Sequence, residues 1–137
     1  MVDSAGLEVL GEDECFQLLK KMPVGRIVYN DRALPAVLPV NFAVLDRTVV
    51  IRTGARSRLA VSGTNTVVAF EVDDLASYPE RGAWSVVAIG LATQVIEPAD
   101  LDAVRRLELR PWAAGAKEYY LRIGIEQLTG RRLRAHE

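Results

Sequence analysis

The sequence predicts one mainly antiparallel β-barrel with a few helices over its openings. Three observations predict it. Six or seven strand-like segments run through the chain, hairpin-length turns join the early ones, and no strand–helix–strand alternation, repeat or low-complexity tract breaks them up. At 137 residues, half of them hydrophobic, the chain is expected to be a single domain over 1–137 with one core.

The elements follow in order. Residues 1–10 mix small and polar types and are expected to form a flexible N-terminal arm. "GEDECFQLLKKM" reads as a helix, with early acidic residues and late lysines placed as the helix dipole favours, and with Phe16, Leu18 and Leu19 toward the core. Pro23 ends it. "VGRIVYN" alternates Val24, Arg26 and Val28 against Gly25, Ile27 and Tyr29, and "NDRA" turns it into a second arm, Leu34–Val44. Pro35 and Pro39 lack a ladder donor, so that arm is expected at an edge or bulge. "VVIRT" is a strand and "SRLAVSG" a short helix ending at Gly63. "TVVAFEV" reads as a strand buried on both faces. "DDLASYPERG" is a polar loop, and "AWSVVAIGLATQVIE" is one long strand with a bend or bulge at Gly90. "PADLDAVRRLEL" has Leu101, Val104 and Leu107 at helical spacing. "EYYLRIGIE" and "LTGRRLR" read as two closing strands.

Composition removes several classes of function. Seventeen basic residues against eighteen acidic give a formal net charge of −1, which supports neither a generic nucleic-acid binder nor a membrane-surface binder. One cysteine, Cys15, and one histidine, His136, exclude an internal disulfide, Cys-cluster zinc sites and His-based catalytic triads. No apolar run approaches the ~20 residues of a membrane span, and no signal-peptide pattern opens the chain. A soluble cytoplasmic protein is expected.

Any anion site must therefore be local, and "RTGARSRLA" is the candidate. Thr53 and Ser57 offer hydroxyls, Arg56 and Arg58 offer guanidinium forks, and Gly54 lets the backbone come close. Ser57 is also a natural cap for the helix starting near Arg58. The same residues read as a solvated turn with a capping serine, and spacing alone does not decide between the two.

This segment resembles the phosphate-binding segment of the pyridoxamine 5′-phosphate oxidase-like family, the FMN-binding split β-barrels. There an aromatic or polar residue plus Thr ends a strand, and Ser-Arg-Lys follows. Here these are Arg52-Thr53 and Ser57-Arg58-Leu59, with Leu59 replacing the family lysine and Arg56 able to compensate. "VGRIVYNDRALPAVLPVNFAV" resembles the family's first hairpin, which implies that Pro39, Val40, Asn41 and Phe42 run along a flavin ring. "GAWSVVAIGLATQV" resembles its long strand, which implies flavin contacts from Trp84 and Ser85. "LRIGIEQLTGRRL" resembles its closing strands, with Glu126 and Gly130 in a Glu-x-x-x-Gly pattern. Members that oxidise pyridoxamine phosphate carry a further C-terminal segment with a tryptophan and an Arg-x-His grip. That segment is not expected here, so pyridoxamine phosphate is not the implied substrate.

Other residues read more plainly. Trp84 serves core packing or a cofactor. Trp112, in the irregular "RPWAAG", is expected at a dimer contact or pocket lid. Glu71, Asp73 and Asp74 form a solvated strand end rather than an acid–base pair. Cys15 is an inert core residue.

The resemblance implies an FMN-binding oxidoreductase that acts on a small molecule, with no catalytic side chain required because the flavin carries the chemistry. Deazaflavin F420 is the alternative cofactor. A non-enzymatic flavin sensor is a rival, and an oligonucleotide-binding barrel a weaker one, disfavoured by the net charge. The partner implied is a second copy of the chain, with two flavin sites at the interface, built in part by Trp112 and the segment from Arg110 to Lys117.

Overall fold

Arg32 and Ala33 have φ of 54° and 67°, the two-residue left-handed turn whose twist suits a tight hairpin. That turn joins the first long strands in the computed structural model, which describes residues 1–111 and 118–134. The described elements are β1 (Glu8–Val9), α1 (Glu12–Leu19), β2 (Val24–Asp31), β3 (Leu34–Leu45), β4 (Thr48–Gly54), α2 (Arg58–Gly63), β5 (Thr66–Asp74), β6 (Ala83–Gln94), α3 (Pro98–Arg105) and β7 (Glu118–Leu133). All pairings are antiparallel, in the order β1-β7-β4-β3-β2-β5-β6, and β6 pairs back onto β7 to close the barrel.

Strand parity fills the interior. Ile27 and Tyr29, Val40 and Phe42, Val49 and Ile51, Val68, Phe70 and Val72, Val86 and Ala88, and Leu121 and Ile123 form one buried cluster. Cys15, Leu18 and Leu19 of α1 and Leu59 of α2 join it, so both helices close the barrel. A second cluster lies outside the barrel wall. There Val104 of α3, with Leu109 and Val95, covers Val50 and Tyr120.

Several elements differ from the sequence expectation. The closing strands are one strand of 16 residues, β7, because its bulge keeps the ladder going. Gly90 pairs with Ile125 and Ile89 with Gln127, which leaves Glu126 as the extra residue. A Cβ at Gly90 would stand 1.7 Å from the Gly124 carbonyl oxygen, so the crossing of β6 and β7 there requires glycine. β5 is buried on one face only. Val68, Phe70 and Val72 are inside, while Val67 is 60 % exposed. The first ten residues, expected as a flexible arm, lie along β7. Glu8 and Val9 pair with Arg132 and Arg131, and Asp3 accepts from Arg131 Nε at 2.9 Å.

The prolines of β3 fit the expected edge in half of the strand. Phe42 N–H donates to the Pro23 carbonyl on the β2 side, so the alternate residues Pro35, Val37, Pro39 and Asn41 turn their backbone groups away from β2. Among the described residues no strand pairs with them on that side, because the β3–β4 ladder stops at Phe42↔Ile51. β4 runs on to Gly54 against β7, with Arg52↔Tyr120 and Thr53↔Tyr119. The wall therefore splits between the first half of β3 and the end of β4. Two missing N–H groups blunt the open edge against another strand.

Candidate functional site

The split gathers several of the sequence-predicted residues. Asn41 Nδ2 donates to the Arg110 carbonyl at 3.3 Å, and Arg52 Nη1 donates to the Leu109 carbonyl at 3.2 Å. Asn41 and Arg52 thus flank the mouth of the split on its outer side, tied to the same short segment. Pro39 shares the outer side with Asn41, whereas Val40 is 2 % exposed and belongs to the core. Its backbone groups turn toward Gly25 of β2, so Val40 offers a ligand at the edge nothing directly.

Adjacent residues in a strand face opposite ways, so Arg52 and Thr53 do not form one cluster. Arg52 lies on the α3 side, 5.9 Å from the centre of the Tyr120 ring, with its Nε buried and without a hydrogen-bond partner among the described residues. Thr53 faces the other way and donates to Ser57 Oγ at 3.0 Å. Ser57 caps α2, its Oγ accepting from Ala60 N–H at 3.0 Å. Both readings of Ser57 are therefore compatible, since the oxygen that caps the helix also stands beside Thr53. Thr64 Oγ1 and Tyr119 Oη lie 2.7 Å apart close by, a hydroxyl pair without a sequence signal because its members are 55 residues apart.

The two remaining arginines differ. Arg56 is exposed and holds no partner among the described residues. Arg58 is bound to Asp31 through both Nε, at 3.1 Å, and Nη2, and it also reaches Ser62 Oγ at 3.2 Å. The Arg58 guanidinium first, and the Ser62 hydroxyl next, hold the Asp31 carboxyl down at about 2. Leu59 is fully buried, so nothing charged follows Arg58.

Trp84 and Ser85 lie elsewhere. Ser85 pairs with Asp73 on one side and Arg131 on the other. Extending the Arg26↔Glu71 register puts Asn41, Val24, Asp73 and Ser85 in one row across β3, β2, β5 and β6. Three strand spacings, about 14 Å, separate Asn41 from Ser85. Trp84 turns inward and packs against the core. Both residues border a hollow of about 320 Å³ with Glu71, Asp73, Leu75 and Arg131. A single chain does not bring Trp84 and Ser85 to the split. Trp112 lies outside the described residues.

Glu71 and Asp73 are not a plain solvated strand end. Arg26 Nη1 donates to both at 3.1 Å. Burial first, then Asp73 beside it, push the Glu71 carboxyl up to about 7 despite that arginine.

With this geometry the chain can be compared with known proteins. The family model for pyridoxamine 5′-phosphate oxidase matches residues 11–132. The chain belongs to that family. A Mycobacterium tuberculosis protein, Rv0080, itself uncharacterized, is 39 % identical over 90 % of this chain and 84 % of its own length. The FAD binding protein from Mycobacterium smegmatis is 37 % identical with a TM-score of 0.79, over 92 % of this chain and 97 % of that one. A Corynebacterium glutamicum structure assigned to the pyridoxamine 5′-phosphate oxidases is 31 % identical with a TM-score of 0.83, over 96 % of each chain. These matches establish the split-barrel fold. No helix among the described residues is long and apolar enough to cross a membrane. One departure from the family is narrower than the sequence reading states, since Arg134-Ala135-His136 does have the Arg-x-His spacing. Ala135 and His136 lie outside the described residues.

Proposed function

We propose that the protein binds a flavin nucleotide in the split and works as a flavin-dependent oxidoreductase on a small molecule. One observation carries the reading. The β3–β4 ladder opens after Phe42↔Ile51, which leaves a free backbone edge at Pro39–Asn41 facing the Thr53–Ser57 hydroxyls. The donors fit such a ligand. A flavin ring offers carbonyls and ring nitrogens to backbone and amide groups like those of the edge and Asn41. Its phosphate suits the hydroxyls of Thr53 and Ser57 and the fork of Arg56, and Arg58 can join them only with what Asp31 leaves of its guanidinium. The buried Nε of Arg52, unpartnered among the described residues, is a further donor at the mouth.

A bound flavin would supply the redox chemistry, and the chain would supply binding, orientation and electrostatics. FMN is the simplest ligand of this kind. The name of the Mycobacterium smegmatis relative favours FAD. F420 is the second reading, favoured by Arg56, which is exposed and without a partner among the described residues and so able to meet an anionic tail. A second copy of the chain completes the site. Ser85 is about 14 Å from the split within one chain, so its contact to the ring comes across a two-fold axis, whereas Trp84 packs against the core and does not share that outer face. The outer face of β2, β5 and β6 suits that role, because Val24, Val67 and Leu91 are 37 %, 60 % and 42 % exposed on it.

The test is optical and hydrodynamic. Purified protein should be yellow with a flavin spectrum, bleach with NADH or NADPH without oxygen, and sediment as a dimer. A colourless protein that takes up no flavin would contradict the reading. A yellow protein that no donor bleaches would be a binder or sensor. A folded monomer of about half the expected mass that holds flavin stoichiometrically would end the two-copy site.

A further inference from the structure

The hollow of about 320 Å³ beside Ser85 lies away from the split, and the phosphate-binding reading does not use it. Glu71, Asp73 and Ser85 line it from the sheet. Asp73 and Ser85 are cross-strand partners, and Glu71, two residues from Asp73, shares their face of β5. Leu7 of the N-terminal segment, Leu75 and Leu133 give it apolar walls. A small-molecule site commonly has this form, an apolar hollow in which a few polar groups converge.

The charged groups around it are almost matched. Arg26 Nη1 reaches across from β2 and donates to Glu71 and Asp73 at 3.1 Å each, so one cation serves two carboxyls. β6 sets Ser85 and Val87 beside them, and neither is charged. From β7 comes Arg131, held by Asp3 at 2.9 Å. With Asp73 matched by Arg26 and Arg131 by Asp3, the charge of the hollow turns on Glu71. Its side chain is 28 % exposed, and burial first and Asp73 next let it keep a proton up to about 7. A carboxyl in that form donates a hydrogen bond as well as accepting one. The hollow then offers apolar walls, a proton donor and no net charge, which suits a small neutral molecule with an acceptor oxygen. In the two-copy site Ser85 meets the ring, so a molecule in the hollow lies at the ring's side.

Resting on the flavin reading above, we propose that this hollow is the substrate pocket of the two-copy site, that it takes a small neutral conjugated ketone, and that Glu71 is the catalytic acid which protonates the ketone oxygen. The reduced flavin supplies the two electrons as a hydride. As the new C–H bond forms at the far carbon of the conjugated system, the π electron pair shifts onto oxygen. The Glu71 O–H bond breaks and an enol O–H bond forms. The enol relaxes to the saturated ketone, and the Glu71 carboxylate recovers its proton from solvent. Asp73 and Arg26 touch Glu71 rather than the ketone and are positioning residues.

The experiment uses the protein with its flavin bound and 2-cyclohexenone as the probe, a ketone that carries no charge at any pH employed. Binding to the oxidised form, read by saturation-transfer NMR, should weaken by about three- to tenfold as pH rises from 6 to 8.5, as Glu71 ceases to donate. Carbon NMR of the glutamate carboxyls should show one that titrates near 7 and is missing from Glu71→Gln. Glutamine keeps a donor but has no acidic proton, so Glu71→Gln should bind the ketone with no such pH dependence. Its reoxidation by the ketone after anaerobic reduction should slow by at least about a hundredfold. The pH dependence of wild-type binding needs no variant, so it decides the matter even if Glu71→Gln fails to fold. A flavin-loaded protein that binds no ketone, binds it equally at pH 6 and 8.5, or is reoxidised at the same rate in both forms overturns the proposal and leaves the flavin site standing. A protein that takes up no flavin overturns the flavin reading and this proposal with it.

Discussion

Two of the arginine–carboxylate clusters on this barrel titrate in opposite directions. At the hairpin tip one guanidinium, Arg58, meets one carboxylate, Asp31, with a serine hydroxyl beside them, and the acid is held down to about 2. On the outer face of β5 one guanidinium, Arg26, is shared by Glu71 and Asp73, and Glu71 rises to about 7. Proximity to arginine is common to both. The ratio of carboxylates to cations and the extent of burial decide the sign. Surrounding half-exposed apolar residues deepen the second effect, because β5 and β6 present Val67, Ala69, Val87 and Ile89 outward beside Glu71.

The sharpest way to break the comparison is to remove the shared cation. Arg26→Ala leaves two neighbouring carboxylates with nothing between them. The expected cost is about 1 kcal/mol at pH 8, roughly 4 °C in Tm for a chain of this size. It should shrink near pH 5.5, where the pair keeps a proton. Thermal melts at both pH values measure it. An equal loss at both would mean that Arg26 acts through packing of its stem rather than through charge.

Glu71→Gln is smaller and has a distinctive pH dependence. The folded carboxyl binds its proton up to about 7, against an ordinary 4.5. Between those values the folded state holds a proton that the unfolded chain has released, so the wild type loses stability as pH rises through that window. Glutamine mimics the protonated form. The variant should therefore melt higher than wild type above pH 7 and match it near pH 4.5. If the face is the two-copy interface, dimer dissociation should also be weaker above pH 7 in the variant, which sedimentation at matched concentrations would read. A variant less stable than wild type at pH 8 would contradict the raised titration.

Much of the architecture was legible in the sequence, and the reason is local. Alternation in "VGRIVYN", the turn "NDRA", the capping Ser57 and the bulge at Gly90 each rest on near neighbours in the chain, and the structure has each of them. The prolines of β3 showed an edge without showing what it borders, since the split depends on where β4 leaves β3 for β7. Site chemistry was less legible. The segment "RTGARSR" looked like one cluster, but strand parity puts Arg52 and Thr53 on opposite faces. Asp31 lies 27 residues from Arg58, and nothing in either segment signals that the pair meets. The Glu71–Asp73 pair looked solvated because Arg26 and the apolar row beside it come from other strands.

The smallest effect belongs to the first cluster and concerns stability. Arg58 and Asp31 have side chains 46 % and 26 % exposed, and solvent screens such a pair strongly. Asp31→Asn should lower Tm by only a degree or two at pH 7. The acid limb carries the clearer sign. A carboxyl depressed from 3.8 to about 2 contributes stability above pH 3.8 that is lost as pH falls toward 2. Wild type should therefore lose stability more steeply than Asp31→Asn across that interval, and the two curves should converge near pH 2. Acid titrations followed by circular dichroism would show this directly. Parallel curves would mean that the Arg58–Asp31 contact is not maintained in solution, and the contrast between the two clusters would then reduce to the burial of Glu71 alone.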